Sequence, residues 1–348
     1  MKAVILRGPN DFGLEDVDKT VCPEGGLLLK VNLVGLCGSD LRKLRYGAHC
    51  HPVILGHEVV GTIVESRDAS GRYQVGDRIM PCIAAVCGQC FFCKNGMESM
   101  CPKIVVQALG YIPYPDYQGG FAEYMPISKP LTQNGLLFKI PDSMTDEEAV
   151  MIEPYTNIFN SHDHLPLDEF TNALIIGAGP VGTMHVEILQ KRGIRCAVAD
   201  LNEERLNMME RVVKPEGRIC SAKEDLKAFV KEFSGGLGMD LVIVACSSAK
   251  AQAQSLELLR PKGHSLFFGG LPEDNPYTQL NGNLIHYKQL TIHGTYGANE
   301  KHYRMSYEML LNKELKGAAY VDFFKLEQFC EVVEKMEKGD VLKPVFKF

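Results

Sequence analysis

Two different rhythms of apolar residues divide the chain. Up to about residue 140, apolar positions come in short runs, with glycine or proline between them roughly every ten residues. Leu27–Leu36 is one such run, rich in leucine and valine and preceded by Gly25-Gly26; Val59–Glu65 is another. Tyr73–Met80 reads as a turn followed by a strand. This punctuation predicts a β-rich, barrel-like unit. From Asn172 to about Leu271 the rhythm changes. Ala173–Ile176, Arg195–Asp200, Asp240–Ala245 and Ser265–Phe268 read as strands. Val181–Gln190 has helical spacing, with Val181, Met184, Ile188 and Leu189 near one face. Continuous apolar strands alternating with helices predict a parallel, doubly wound α/β sheet. After Leu290 mixed character returns, and the chain is expected to rejoin the first unit.

Composition fits a two-part chain. At roughly 150 residues per domain, 348 residues give about two domains. With 45% hydrophobic and 23% charged residues, there is enough apolar surface for a sizeable core, which excludes disorder as the main state. The net charge of −6 argues against a nucleic-acid partner. No apolar run approaches the roughly 18 residues of a membrane span, so no membrane partner is expected. Met1–Arg7 reads as a first strand, not as a signal peptide. These readings predict a cytoplasmic protein, in which twelve cysteines are thiols or metal ligands more readily than disulfides.

Four of those cysteines are closely spaced. Cys87, Cys90, Cys93 and Cys101 are separated by two, two and seven residues, with Gly88 and Gly96 allowing sharp turns. Four thiolates this close can surround one tetrahedral Zn²⁺, leaving no open position, which implies a structural role. The rival is an iron–sulfur cluster, but bacterial ferredoxins place the fourth cysteine after three residues, not seven. Elsewhere, Cys37 lies in Gly35–Asp40, His57 and Glu58 in Gly56–Gly61, and Glu153 in Ile152-Glu153-Pro154. A thiolate, an imidazole and a carboxylate could together hold a zinc with one position free, although a lone cysteine is usually core and a lone His-Glu pair usually a satisfied polar pair.

Gly177-Ala178-Gly179-Pro180-Val181-Gly182 follows a predicted strand and opens a predicted helix. Gly177 permits the tight turn, Gly179 a close approach by a pyrophosphate, and Gly182 close helix–strand packing. The helix that starts at Pro180 and Val181 would turn its free N–H groups toward the phosphates. Asp200 lies 18 residues beyond Gly182. Its carboxylate would accept from ribose hydroxyls and repel a 2′-phosphate, favouring NAD; Arg205 nearby pulls the other way. The alternative is a glycine-rich turn in a fold that binds something else.

Together these segments, with Val75–Ile79 and Gly119–Tyr124, resemble the zinc-dependent medium-chain dehydrogenases, the superfamily of alcohol, sorbitol and threonine dehydrogenases. The resemblance covers nearly the whole chain. It implies a discontinuous GroES-like catalytic domain with a structural zinc lobe over 1–153 and 290–348. It also implies an NAD-binding Rossmann domain over 154–289, with a cleft between the two. It implies that Cys37, His57 and an acid hold a catalytic zinc. In sorbitol dehydrogenase-like members the acid is the one beside the histidine, here Glu58; in others the later acid, here Glu153, approaches the metal. Ser39 matches the hydroxyl that passes on the substrate proton. Relatives of this type are dimers or tetramers.

Two departures stand out. Arg42 occupies the position where many relatives carry a relay histidine, leaving His49, His51 or the nicotinamide ribose to pass the proton on. Tyr296 is present without the arginine that accompanies it in sorbitol dehydrogenases. Arg42, Lys43 and Arg45 follow the cysteine closely, so a phosphorylated polyol is conceivable, against the plainer reading of a solvated basic turn. Specificity is expected to rest on loops such as Tyr111–Tyr117, and His162 and His164 read as a surface turn. The expected activity is hydride transfer between a secondary hydroxyl of a polyol or sugar alcohol and NAD. The alternatives are an L-threonine or other alcohol dehydrogenase on the same scaffold, or a silent NAD-binding protein.

Overall fold

In the computed structural model, which describes residues 1–111 and 118–348, the early apolar runs become strands of one mixed sheet. Its order is Val321–Lys325, Lys343–Lys347, Leu27–Gly35, Glu58–Ser66, Arg78–Ala85 and Val105–Val106. Tyr124–Ile127 pairs with Leu27–Gly35, and Gly135–Lys139 with Arg78–Ala85. Leu27–Gly35 is buried at nearly every position except Lys30, because it is flanked by strands on both edges and covered on both faces. Its leucines and valines pack with Val59, Ile63, Phe121, Phe329 and Phe346. Phe121 meets Phe329 edge-on at 4.9 Å between ring centroids. The last strand, Lys343–Lys347, runs antiparallel to Leu27–Gly35, so the C-terminal segment belongs to the core of the first sheet.

The second sheet is wholly parallel, ordered Gly217–Cys220, Arg195–Asp200, Asn172–Ile176, Met239–Val244, Leu259–Phe267 and Thr291–Gly294. In chain order this is 3-2-1-4-5-6, the doubly wound arrangement in which the chain reverses direction beside its first strand. Met239–Val244 is buried at every position, as expected for a central strand covered on both faces. The turn that carries Gly177 follows the first of these strands.

The chain separates into two units, Met1–Thr156 with Ala298–Phe348, and Asn157–Gly297. The limits differ from the 153/154 and 289/290 boundaries expected from the sequence. Thr291–Gly294 pairs with Leu259–Phe267, so this stretch stays in the parallel sheet, and the return comes at Ala298. His162 also departs from expectation. It is buried, not part of a surface turn, because its Nε2 lies 2.9 Å from Nδ1 of the equally buried His185. No helix among the described residues is long and apolar enough to cross a membrane.

Candidate active site

The residues around Cys37 are assembled by one helix start and three neighbouring strands. Cys37 caps the helix Gly38–Tyr46, with Ser39 in its first turn. Asp40 reaches back so that its Oδ2 accepts from the Cys37 backbone N–H at 3.2 Å. Its Oδ1 lies 3.3 Å from His57 Nδ1, a close electrostatic contact with poor hydrogen-bond alignment. Asp40 and His57 are both buried. Burial alone would lower the imidazole pKa, but the Asp40 carboxylate and the Cys37 sulfur outweigh it and hold His57 well above its ordinary value.

His57 leads directly into the strand Glu58–Ser66, which places Glu58 opposite Gly35 in the antiparallel register. Cys37, His57 and Glu58 thus offer ligand atoms all within 4.8 Å of one another. Glu153 is buried but does not join this group. Its carboxylate acts electrostatically on Lys343, Cys82 and Tyr303.

Sequence reasoning missed Lys343. Its ammonium is buried and donates to both oxygens of Glu58, at 2.5 Å to Oε1, and to the Leu36 carbonyl at 3.3 Å. Desolvation disfavours the charged amine, but Glu58 more than offsets it and raises the pKa. A charged residue inside the apolar run Val341–Phe346 was the available signal, since a buried charge requires a partner. Asp40 was missed as well; only its place three residues after Cys37 hinted at a bracing role.

The four-cysteine loop is drawn together as the spacing predicted. Cys90 and Cys93 sulfurs are 3.4 Å apart, Cys87 and Cys101 3.6 Å, and Cys87 and Cys93 4.0 Å. A tetrahedral zinc with Zn–S bonds of about 2.3 Å needs sulfur–sulfur edges of about 3.8 Å, so the set fits the ion without rearrangement. Backbone N–H groups of Gln89 and Cys90 lower the Cys87 thiol to about 6, favouring the thiolate that metals bind. Cys82 stands apart, its thiol pushed up to about 11 by burial.

In the parallel unit, Gly177 has φ +116°, which disfavours a side chain. A Cβ on Gly182 would overlap the Gly177 carbonyl oxygen, whereas one on Gly179 would meet nothing within 4 Å. The space beside Gly179 is therefore open, as a bound pyrophosphate requires. Pro180 and Val181 begin the helix Pro180–Lys191, for which Gly179 is the N-cap. Asp200 ends its strand buried; its Oδ2 accepts from Ala178 N–H at 2.8 Å and its Oδ1 from Asn202 N–H at 2.9 Å. Arg205 lies on the helix Glu203–Met209 and acts electrostatically on Cys246. His49 stacks on Tyr111, and His51 Nε2 accepts from Ala48 N–H. Beyond Tyr111, the loop expected to set specificity lies outside the described residues.

Comparison with known proteins agrees with this layout. The alcohol dehydrogenase GroES-like domain matches residues 23–142, and the zinc-binding dehydrogenase domain matches residues 180–312. An L-threonine 3-dehydrogenase of Idiomarina loihiensis is 28% identical, over 88% of each chain. A sorbitol dehydrogenase of Bacillus subtilis is also 28% identical, over 85% of this chain and 82% of its own. The crystal structure of an Escherichia coli oxidoreductase of unknown specificity superposes with a TM-score of 0.86 at 25% identity, covering 99% of this chain and 98% of that one. The two domain matches, in the order and places where the two sheets and the two ligand clusters are found, make this chain a member of the zinc-type medium-chain alcohol and polyol dehydrogenase family of oxidoreductases.

Proposed function

We propose that the chain oxidises a secondary hydroxyl of a polyol or sugar alcohol, passing hydride to NAD, with Cys37, His57 and Glu58 holding a catalytic zinc. The carrying observation is the convergence of those three ligand atoms within 4.8 Å, with Glu58 and not Glu153 in the group. In sorbitol dehydrogenase-like proteins the acid beside the histidine is the ligand, which favours the polyol over the threonine reading. We assign catalysis to the first unit and NAD binding to the second. The four-cysteine loop holds a structural zinc.

Zinc in such a site supplies a Lewis acid that lowers the pKa of a hydroxyl, and NAD supplies the hydride acceptor. The chain's own residues do the rest. Asp40 at Nδ1 fixes the imidazole ring and leaves Nε2 to act as the ligand atom. Lys343 pairs with Glu58, which offsets the cost of burying the carboxylate and holds it in place. Ser39 accepts the hydroxyl proton and passes it outward. The substrate loses one hydride to the nicotinamide and one proton to solvent, leaving a ketone. In the other unit, Gly179 admits the pyrophosphate, and Asp200 accepts from the ribose hydroxyls.

The test is metal analysis combined with a substrate panel. Two zinc ions per chain are expected, and NADH should form with polyols in preference to L-threonine or simple alcohols. Cys37→Ser should lose one zinc and turnover while still binding NADH. A fully active Cys37→Ser enzyme would refute the assignment.

A further inference from the structure

Every pair in the sheet of the second unit is parallel, so all six strands end at one edge. Beyond the strand ends, several exits are still held by main chain. Ala245 N–H donates to the Ile176 carbonyl at 2.9 Å, and Phe268 and Gly269 N–H donate to the Val244 carbonyl at 3.2 and 3.1 Å. The sixth strand, Thr291–Gly294, differs. Its pairing stops at Gly294 opposite Phe267, and among the described residues no backbone hydrogen bond carries it further. A side chain takes over. Asn160, buried in the last turn of the helix Ile152–His162, donates from Nδ2 to Thr295 Oγ1 at 3.1 Å and to the Tyr296 carbonyl at 3.5 Å.

The chemistry of these groups fixes which one donates. A carbonyl can only accept, so the amide turns its NH₂ toward Tyr296, and Thr295 Oγ1 accepts from the same nitrogen. The hydroxyl proton of Thr295 therefore points elsewhere, and among the described residues no acceptor meets it. Thr295 is half-buried and stands at the edge where a doubly wound sheet holds a dinucleotide. The glycine turn and Asp200 belong to the half built on the first three strands, whose acid serves the adenosine ribose. The nicotinamide side then falls to the exits of the other three, where Thr295 offers an unspent donor. We propose that Thr295 donates its hydroxyl to the nicotinamide carboxamide, and that Asn160 is the positioning residue that aims it. This rests on the NAD reading above and adds two side chains that act on one end of the coenzyme.

The test compares two ligands on the zinc-loaded full chain: NADH, and ADP-ribose, which carries all of the coenzyme except the nicotinamide. Affinities are measured by calorimetry, and the emission of bound NADH reports on the nicotinamide. Thr295→Val keeps the shape and removes the hydroxyl; Asn160→Leu keeps the volume and removes the amide. Each should weaken NADH by about five- to tenfold and leave ADP-ribose within about twofold of wild type. The double variant should be no worse than the poorer single one, because both act through the same hydroxyl. The proposal is overturned if Thr295→Val binds NADH like wild type. It is also overturned if Asn160→Leu weakens NADH and ADP-ribose alike, since the amide would then hold the whole unit and not one end of the ligand. Additive losses in the double variant would separate Asn160 from Thr295 and refute the positioning role. If wild type binds ADP-ribose but gains nothing from the nicotinamide, the proposal fails while the NAD reading stands. If wild type binds neither ligand, the NAD reading fails and the proposal with it.

Discussion

Gly35 faces Glu58 across adjacent antiparallel strands, and a Cβ on Gly35 would overlap Glu58 Oε2. The glycine therefore leaves room for the carboxylate, which pairs with Lys343 and lies within 4.8 Å of the Cys37 and His57 ligand atoms. Gly35→Ala should push Glu58 aside. The expected outcome is loss of one zinc per chain and a stability cost of about 1–3 kcal/mol from overpacking. Zinc quantitation and urea unfolding check both.

Lys343→Met should leave Glu58 as an uncompensated buried charge. In the zinc-stripped protein this should cost about 3–5 kcal/mol. Zinc should recover part of the loss, since a metal can take over the role of counter-charge. Thermal unfolding with and without zinc should therefore show a wider gap in the variant than in the wild type. An unchanged gap would separate Lys343 from the metal site.

Gly179 and Gly182 should respond differently to alanine. At Gly182 the added methyl meets the Gly177 carbonyl, so folding of the parallel unit should suffer. At Gly179 the methyl meets no protein atom, so Gly179→Ala should unfold like wild type. Its NADH affinity should nonetheless drop by about tenfold or more, since the methyl occupies the path of the pyrophosphate. NADH fluorescence titration beside a thermal melt distinguishes the two.

The buried His162–His185 pair predicts acid sensitivity. Burial depresses both imidazoles, His162 to about 3. Above the ordinary value of 6.5 both states are neutral and the pair adds no pH dependence. As pH falls below 6.5 the unfolded chain takes up protons that the folded one refuses, so stability declines until His162 itself protonates near 3. Between neutral pH and pH 5, His162 alone should account for about 2 kcal/mol. His162→Gln should flatten this slope in urea unfolding at the two pH values. A slope equal to wild type would contradict the burial argument.

What could be read along the chain was what depends on near neighbours. The four cysteines lie within one short loop, and the glycine turn joins consecutive elements, so spacing alone carried their geometry. The parallel sheet was visible because its strands are buried on both faces and therefore uninterrupted. Lys343 lies 285 positions from Glu58, and only the register of the last strand against Leu27–Gly35 brings them together. His162 read as part of a polar turn, yet its Nε2 pairs with His185 Nδ1 inside a core. The end of the parallel unit escaped because Thr291–Gly294 is a short edge strand whose alternation is weak.

Asp200 spends one carboxylate oxygen on Ala178 N–H and the other on Asn202 N–H. It is thus a brace of the Gly177–Gly182 bend as well as the residue we propose for the ribose hydroxyls. Replacing it with a small neutral residue to welcome a 2′-phosphorylated dinucleotide would slacken the bend it steadies. Switching coenzyme preference in this scaffold accordingly calls for a second substitution that restores an acceptor to Ala178.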